Sequence, residues 1–232
     1  MAESGVQVVV QMAGEDVLAG QLWGHRRRQH ESATFAYSTS YLSRADAYEL
    51  DPALPLVGGP QQTAEGRKIF GAFSDCAPDR WGRRLIARAE ERRARADNAT
   101  PRSHGEWDYL LGVRDDLRQG ALRFRLPGTQ TYLADESEGI PFLLDLPDLL
   151  SAAESVERDE ATDSELAALL RGGSSLGGAR PKAHVIDGSG RVSIAKFPSP
   201  DDGWDVIRWE ATAIELARRA GITVADSALD LV

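Results

Sequence analysis

Residues 172–198 read GGSSLGGARPKAHVIDGSGRVSIAKFP, from Gly172 to Pro198, and the rest of the chain is interpreted around them. The stretch opens with Gly172-Gly173-Ser174-Ser175-Leu176-Gly177-Gly178. Glycine tolerates positive φ and admits another backbone or a phosphate at close range. A strand is predicted over Lys182 to Ile186, then a hairpin turn at Asp187-Gly188-Ser189-Gly190, then a second strand over Arg191 to Phe197. A glycine-rich loop feeding a β-hairpin is one way that proteins cover the phosphates of a nucleotide.

Periodicity singles out one lysine. Side chains alternate along a strand, so Val192, Ile194 and Lys196 share a face. Two of the three are aliphatic, which predicts that this face packs inward and takes Lys196 with it. A buried ammonium needs a partner. Asp205 to Ala220 reads as a helix closed by Gly221 at the position after the C-cap. Its small and apolar stripe is Val206, Ala213, Ile214, Ala217 and Ala220, and Glu210 falls on the same stripe. A strand lysine and a helix glutamate on facing surfaces is the arrangement with which protein kinases hold ATP phosphates. The plainer alternative for Lys196 is a strand lysine whose ammonium reaches solvent, and for Glu210 an interface glutamate paired with an arginine.

Gly177-Gly178-Ala179-Arg180-Pro181-Lys182, Ile194-Ala195-Lys196-Phe197-Pro198 and the Glu210 helix resemble the start of the kinase domain in HipA-family toxins. These are serine/threonine kinases of bacterial type II toxin–antitoxin systems. The resemblance implies that Lys196, Glu210, Gly177, Gly178 and Lys182 bind ATP. Lys182 and Arg180 either help to hold phosphate or only solvate the loop edge. It also implies a regulatory phosphorylation on the loop at Ser175, with Ser174 as the competing site. Such a phosphate would add nearly two negative charges beside the nucleotide.

The 232 residues are 42% hydrophobic and 27% charged, with a net charge of −9. This is a globular composition with room for a substantial core. The acidity argues against a protein that grips nucleic acid through bulk charge. One cysteine, Cys76, excludes an intrachain disulfide, and four histidines without ligand spacing make no case for zinc. Met1-Ala2-Glu3-Ser4-Gly5 carries no positive region, and Val8-Val9-Val10 is too short for a signal core or a span. A cytoplasmic location without a membrane partner is expected.

Toward the N-terminus, residues 6 to 42 read as β-structure, with Val6, Val8 and Val10 alternating and a polar tip at His25-Arg26-Arg27-Arg28-Gln29-His30. Phe73 to Leu85 contains Pro78-Asp79-Arg80-Trp81-Gly82, which also resembles the family. Pro78 suits a helix start and Asp79 its first turn, with Trp81, Leu85, Ile86 and Ala89 turned inward. Arg80, Arg83, Arg84, Arg88, Arg92, Arg93 and Arg95 make this helix basic inside an acidic chain. Either a partner or DNA backbone meets it, or it is a solvated face.

Trp107 to Phe124 reads as a short helix leading to a strand that closes the β-rich part, with Gly120 at the junction. Pro127-Gly128-Thr129 marks a turn and a boundary. Residues 130 to 170 are acidic and helical, with Pro147 starting one helix and Asp163 capping another.

The expected architecture is α+β. A HipA-like β-rich N-terminal subdomain spans 1–128, and a helical connector with a protein-kinase-like N-lobe spans 129–232. In the family, the catalytic segment is of the Asn-x-Asp-x-His-x-x-Asn type and a later Asp binds metal. Neither occurs here, and the only asparagine is Asn98. No catalytic or metal-binding residue is therefore assigned in this chain, and the Mg ligands of an ATP-dependent kinase are expected in a C-terminal lobe beyond Val232.

The resemblance implies phosphorylation of a protein serine, with an aminoacyl-tRNA synthetase as the suggested substrate. It also implies a HipB-like helix-turn-helix antitoxin as partner and operator DNA reached only through that complex. By itself the chain is expected to be inactive. The rival reading is a non-catalytic interaction or regulatory protein that binds an antitoxin or a separately encoded kinase half.

Overall fold

The computed structural model describes residues 5–27, 30–133, 140–173 and 178–230. The chain is mixed α/β with an antiparallel sheet. β1 (Val6–Met12), β2 (Glu15–Arg27) and β3 (His30–Tyr37) form a meander, followed by a single helical turn, α1 (Thr39–Leu42). A short β4 (Gln61–Gln62) precedes α2 (Gly71–Asp75), α3 (Arg80–Ala96) and α4 (Glu106–Leu111). β5 (Leu122–Arg125) then returns to complete a five-stranded sheet in the order β4-β3-β2-β1-β5, with antiparallel neighbours throughout.

The valine alternation decides which face of this sheet is covered. Val6, Val8 and Val10 point into one cluster with Leu22, Phe35, Tyr37, Tyr41, Phe73 and Phe124. Aromatic side chains make most of the contacts: Phe35 meets Tyr37 edge-on at 4.9 Å and Phe73 at 5.5 Å, and Tyr37 stacks on Tyr41 at 5.5 Å. The buried tyrosine hydroxyl is satisfied, since Tyr37 donates to Leu54 O at 2.8 Å and accepts from Leu50 N–H at 3.0 Å. Gly120, at the entry to β5, has φ +84°, which glycine adopts without strain.

β2 runs from Glu15 through His25 to Arg27, so most of the expected polar tip is strand. Residues 28 and 29 lie outside the described residues.

A second cluster lies beyond the sheet. α5 (Leu146–Glu157) and α6 (Asp163–Arg171) pack on α3 and on the strand β6 (Lys182–Ile186). Trp81, Leu85, Leu149, Ala153, Val156, Leu166, Leu169 and Val185 fill it. Pro147 sits in the first turn of α5 as expected. α6 is capped by Thr162, not Asp163: Thr162 Oγ1 accepts from Glu165 N–H, and the Glu165 carboxylate returns to Thr162 N–H at 2.7 Å. That reciprocal box satisfies two N-terminal donors, where Asp163 would satisfy one. Pro78 also sits one place earlier than expected, ahead of the Asp79 N-cap, and α3 begins at Arg80.

α3 enters this second cluster through Trp81 and Leu85. Its arginines are not a free basic face. Arg84 donates to Glu157 and to the carbonyls of Val156 and Glu157, Arg88 pairs with Asp159 at 2.9 Å, and Arg92 pairs with Asp163. Successive turns of α3 are met by the acids at the α5–α6 corner.

Candidate phosphate-binding hairpin

β6 pairs antiparallel with β7 (Val192–Lys196) through the turn at Asp187–Gly190, where Asp187 accepts from Ser189 N–H and Arg191 N–H. The Ser189 hydroxyl, which donates to the same carboxylate at 2.6 Å, and those backbone hydrogen bonds hold the Asp187 carboxyl well below the ordinary carboxylate range. In this register Lys182 lies directly opposite Lys196. Opposed residues of an antiparallel pair project from the same face. Two ammonium groups therefore emerge side by side, an unfavourable placement unless each has an acid.

Each has one, from a different helix. Lys196 Nζ donates to Glu210 on α7 (Val206–Arg219), which joins the strand lysine and helix glutamate singled out in the sequence. Lys182 Nζ stands 3.9 Å from Asp79 Oδ2 at the N-terminus of α3. The two pairs differ in environment. Lys196 and Glu210 keep 47% and 39% of their side-chain exposure, whereas Lys182 keeps 6%. Burial, and then Lys196, push the Lys182 ammonium below its ordinary pKa against the opposing pull of Asp79. Burial likewise pushes the Asp79 carboxyl up, against Lys182 and the backbone N–H groups it caps.

The face of β7 is not the inward-packed surface expected from Val192 and Ile194. These side chains are 52% and 51% exposed, and Lys196 is exposed with them. Alternation correctly puts the three on one side of the strand, but no described element covers that side beyond the reach of Glu210. On α7, Val206, Glu210, Ile214 and Ala217 are half-buried, while Ala213 and Ala220 of the expected stripe are exposed. The helix ends as foreseen, with Gly221 at φ +79°.

Gly178 is the described residue of the glycine loop that touches the site. Its φ is +105°, and a Cβ built on it would come within 2.8 Å of Lys182 Nζ. The conformation favours glycine there, while the space is bounded only by the movable end of the Lys182 side chain. Gly177, Ser174 and Ser175 lie outside the described residues. Arg180 is turned to Asp202, with Nη1 2.7 Å from Oδ2, rather than to the lysines.

The sequence alone did not connect the Pro78–Trp81 segment with this hairpin. Trp81 Nε1 donates to Lys182 O at 2.9 Å, and Trp81 N–H reaches Gly178 O at 3.4 Å. A buried tryptophan needs a partner for its indole N–H, which is the one signal that Trp81 had a polar appointment. Its partner, 101 residues away, could not be named from spacing.

A separate cleft of about 250 Å³ lies between the β2–β3 hairpin and α4, lined by Arg26, Glu31, Lys68, Glu106 and Trp107. Its acids are engaged within the fold: Glu106 takes a two-pronged hydrogen bond from Arg83 at 2.7 and 2.6 Å, and Glu31 accepts from Glu106 N–H at 3.1 Å. Among the described residues, no group of three or more His, Cys, Asp or Glu could hold a metal ion, and no helix is long and apolar enough to cross a membrane.

Comparison with known proteins gives one family. Residues 10–102 match the HipA N-terminal domain. The match takes in α3 with Asp79 and Trp81, and it ends ahead of the lysine hairpin. No curated protein and no solved structure matches the chain.

Proposed function

We propose, from the match of residues 10–102 to the HipA N-terminal domain, that the chain belongs to a HipA-like serine/threonine kinase of a toxin–antitoxin system. In this reading β6, β7 and α7 are its kinase-like N-lobe, the part that holds the phosphates of ATP. The observation that carries the reading is the Lys196–Glu210 pair. The acid orients an ammonium that would meet the α- and β-phosphates, and Lys182 beside it adds a second positive charge. Gly178 removes the side chain that would block approach to Lys182.

The reaction proposed for the complete kinase is transfer of the ATP γ-phosphoryl group to a protein serine, with an aminoacyl-tRNA synthetase as the substrate class. The partner proposed is a HipB-like helix-turn-helix antitoxin, with operator DNA reached through it. The pairing of the α3 arginines with Glu157, Asp159 and Asp163 supports keeping DNA contact away from that helix. No residue of this chain is assigned the role of catalytic base or magnesium ligand.

A second reading, a regulatory module that docks a separately encoded kinase half, draws on the exposed apolar side chains Val192, Ile194, Trp209 and Leu216. Calorimetric titration with Mg-ATP separates the two. The first reading expects measurable binding that weakens at least about tenfold in Lys196→Ala, the loss of a charge-assisted phosphate contact. Equal affinity of wild type and Lys196→Ala would reject it.

A further inference from the structure

The HipA N-terminal domain reaches into the lysine hairpin at one place, the first turn of α3. Asp79 there divides its carboxylate between two tasks. Oδ1 accepts from Trp81 N–H at 3.2 Å and caps the helix. Oδ2 is buried, has no hydrogen-bond partner among the described residues, and faces Lys182 Nζ at 3.9 Å. A buried carboxylate oxygen left at ion-pair distance but outside hydrogen-bond distance is costly unless the charge opposite it is needed there. Trp81, itself 1% exposed, holds both ends of the same short segment, with its N–H toward Gly178 O and its indole on Lys182 O. The Lys182 ammonium is thereby confined between the Asp79 carboxylate and the open Cα of Gly178.

We infer that Asp79 and Trp81 are positioning residues for the anion site at Lys182 and Lys196: Trp81 fixes the backbone from Gly178 to Lys182, and Asp79 keeps the Lys182 ammonium charged and aimed at the incoming phosphate. This rests on the phosphate-binding reading of the hairpin. It adds that the N-terminal domain supplies part of that site.

The groups around Lys182 set the sign of the effect. Lys196 on β7, itself paired with Glu210 on α7, disfavours the charged ammonium, as does burial, while Asp79 favours it. Arg83 on α3 acts on Asp79 and not as a replacement for it. His184, two residues along β6, is turned to Gly172 O at 3.0 Å, and burial pushes its pKa below the ordinary imidazole value. With the Asp79 charge removed, the attraction that opposes burial and Lys196 is lost, and the neutral amine gains.

Asp79→Asn removes the charge and retains an N-cap acceptor for Trp81 N–H, so α3 keeps its start. Trace acetylation of all lysines, read by peptide mass spectrometry across pH, follows each amine separately. Without ligand, Lys182 of Asp79→Asn should label at least about threefold faster than wild type at pH 8, because more of it is neutral, while Lys68 is unchanged. With Mg-ATP, Lys182 and Lys196 of wild type should both be protected. Protection of Lys182 in Asp79→Asn should need about tenfold more ATP, the loss of one charge-assisted contact. In Trp81→Phe, which keeps the packing and loses the indole N–H, amide exchange over residues 182–186 should rise about tenfold.

Protection in wild type with an unchanged Asp79→Asn would overturn the positioning role and leave the phosphate reading standing. No protection of either lysine in wild type would overturn both. Unchanged exchange in Trp81→Phe would remove Trp81 from the role.

Discussion

α3 and α7 are both amphipathic helices of several turns, and the structure uses them in opposite ways. α3 buries Trp81, Gly82, Leu85 and Ala94, and Arg84, Arg88 and Arg92 are answered by acids at the α5–α6 corner. α7 buries no residue completely; Trp209 and Leu216 stand 60% and 61% exposed, and its link to the hairpin is the ion pair of Glu210 with Lys196. Amphipathicity shows that a helix has an apolar side, but not whether that side is covered. The sheet has a core of its own and α3 is covered by α5, α6 and β6, whereas the β7 face and α7 present charge and apolar surface together. Surfaces of the second kind bind things.

The sharpest way to break this contrast is to truncate one tryptophan from each helix. Trp81→Ala should cost about 3–5 kcal/mol, a large buried ring lost together with the hydrogen bond to Lys182 O. Trp209→Ala should stay within about 0.5 kcal/mol, as for an exposed site. Chemical denaturation of both variants measures the difference. Comparable losses would mean that α7 is as well packed as α3.

A smaller effect grades the arginines of α3 among themselves. Glu157 is only 9% exposed and Arg84 also closes the end of α5, so Arg84→Ala should cost about 1–3 kcal/mol. Asp163 is 79% exposed, and Arg92→Ala should change stability by less than about 0.5 kcal/mol. If both cost the same, burial does not set the value of these pairs. The acidic corner would then be a general counter-charge.

The smallest effect is a matter of pH. The Arg83 guanidinium holds the Glu106 carboxyl below its ordinary 4.5. A depressed acid stabilises the fold above the unfolded value, and that contribution is lost as pH falls through the folded value. Stability should therefore decline on acidification below about 4.5, and Glu106→Gln should flatten that part of the curve. Thermal melts of the two proteins from neutral to acidic pH test it. An unchanged slope would place the acid sensitivity elsewhere, for instance at Glu165 or Asp202, whose carboxyls are also held low by hydrogen bonds.

Much of the fold was legible before any coordinates because its signals are local. The valine alternation, the Asp187–Gly190 turn, the Pro147 start and the Gly221 stop each act over a few residues. Lys196 and Glu210 were legible as a pair because strand and helix periodicities aim them at each other. What was not legible depended on long-range partners. Val192 and Ile194 were expected to be covered, since an aliphatic face is ordinarily buried, and the alternation contains no information about what lies across from it. The α3 arginines were weighed as a DNA or partner surface although the acidic stretch 130–170 was itself the complementary charge. Asp79 was read only as a helix-start residue, because nothing near it in sequence announces a lysine brought in from β6.

The most direct test of the proposal that the lysine hairpin is an anion site is an amide chemical-shift map during titration with Mg-ATP. Shifts should concentrate from Gly178 to Lys196 and around Glu210, with a weaker response at Asp79 and Trp81, and the Arg84–Arg92 face should stay silent. Shifts centred instead on that arginine face, or on the cleft between Arg26, Lys68 and Glu106, would contradict the account and move the anion site into the N-terminal domain.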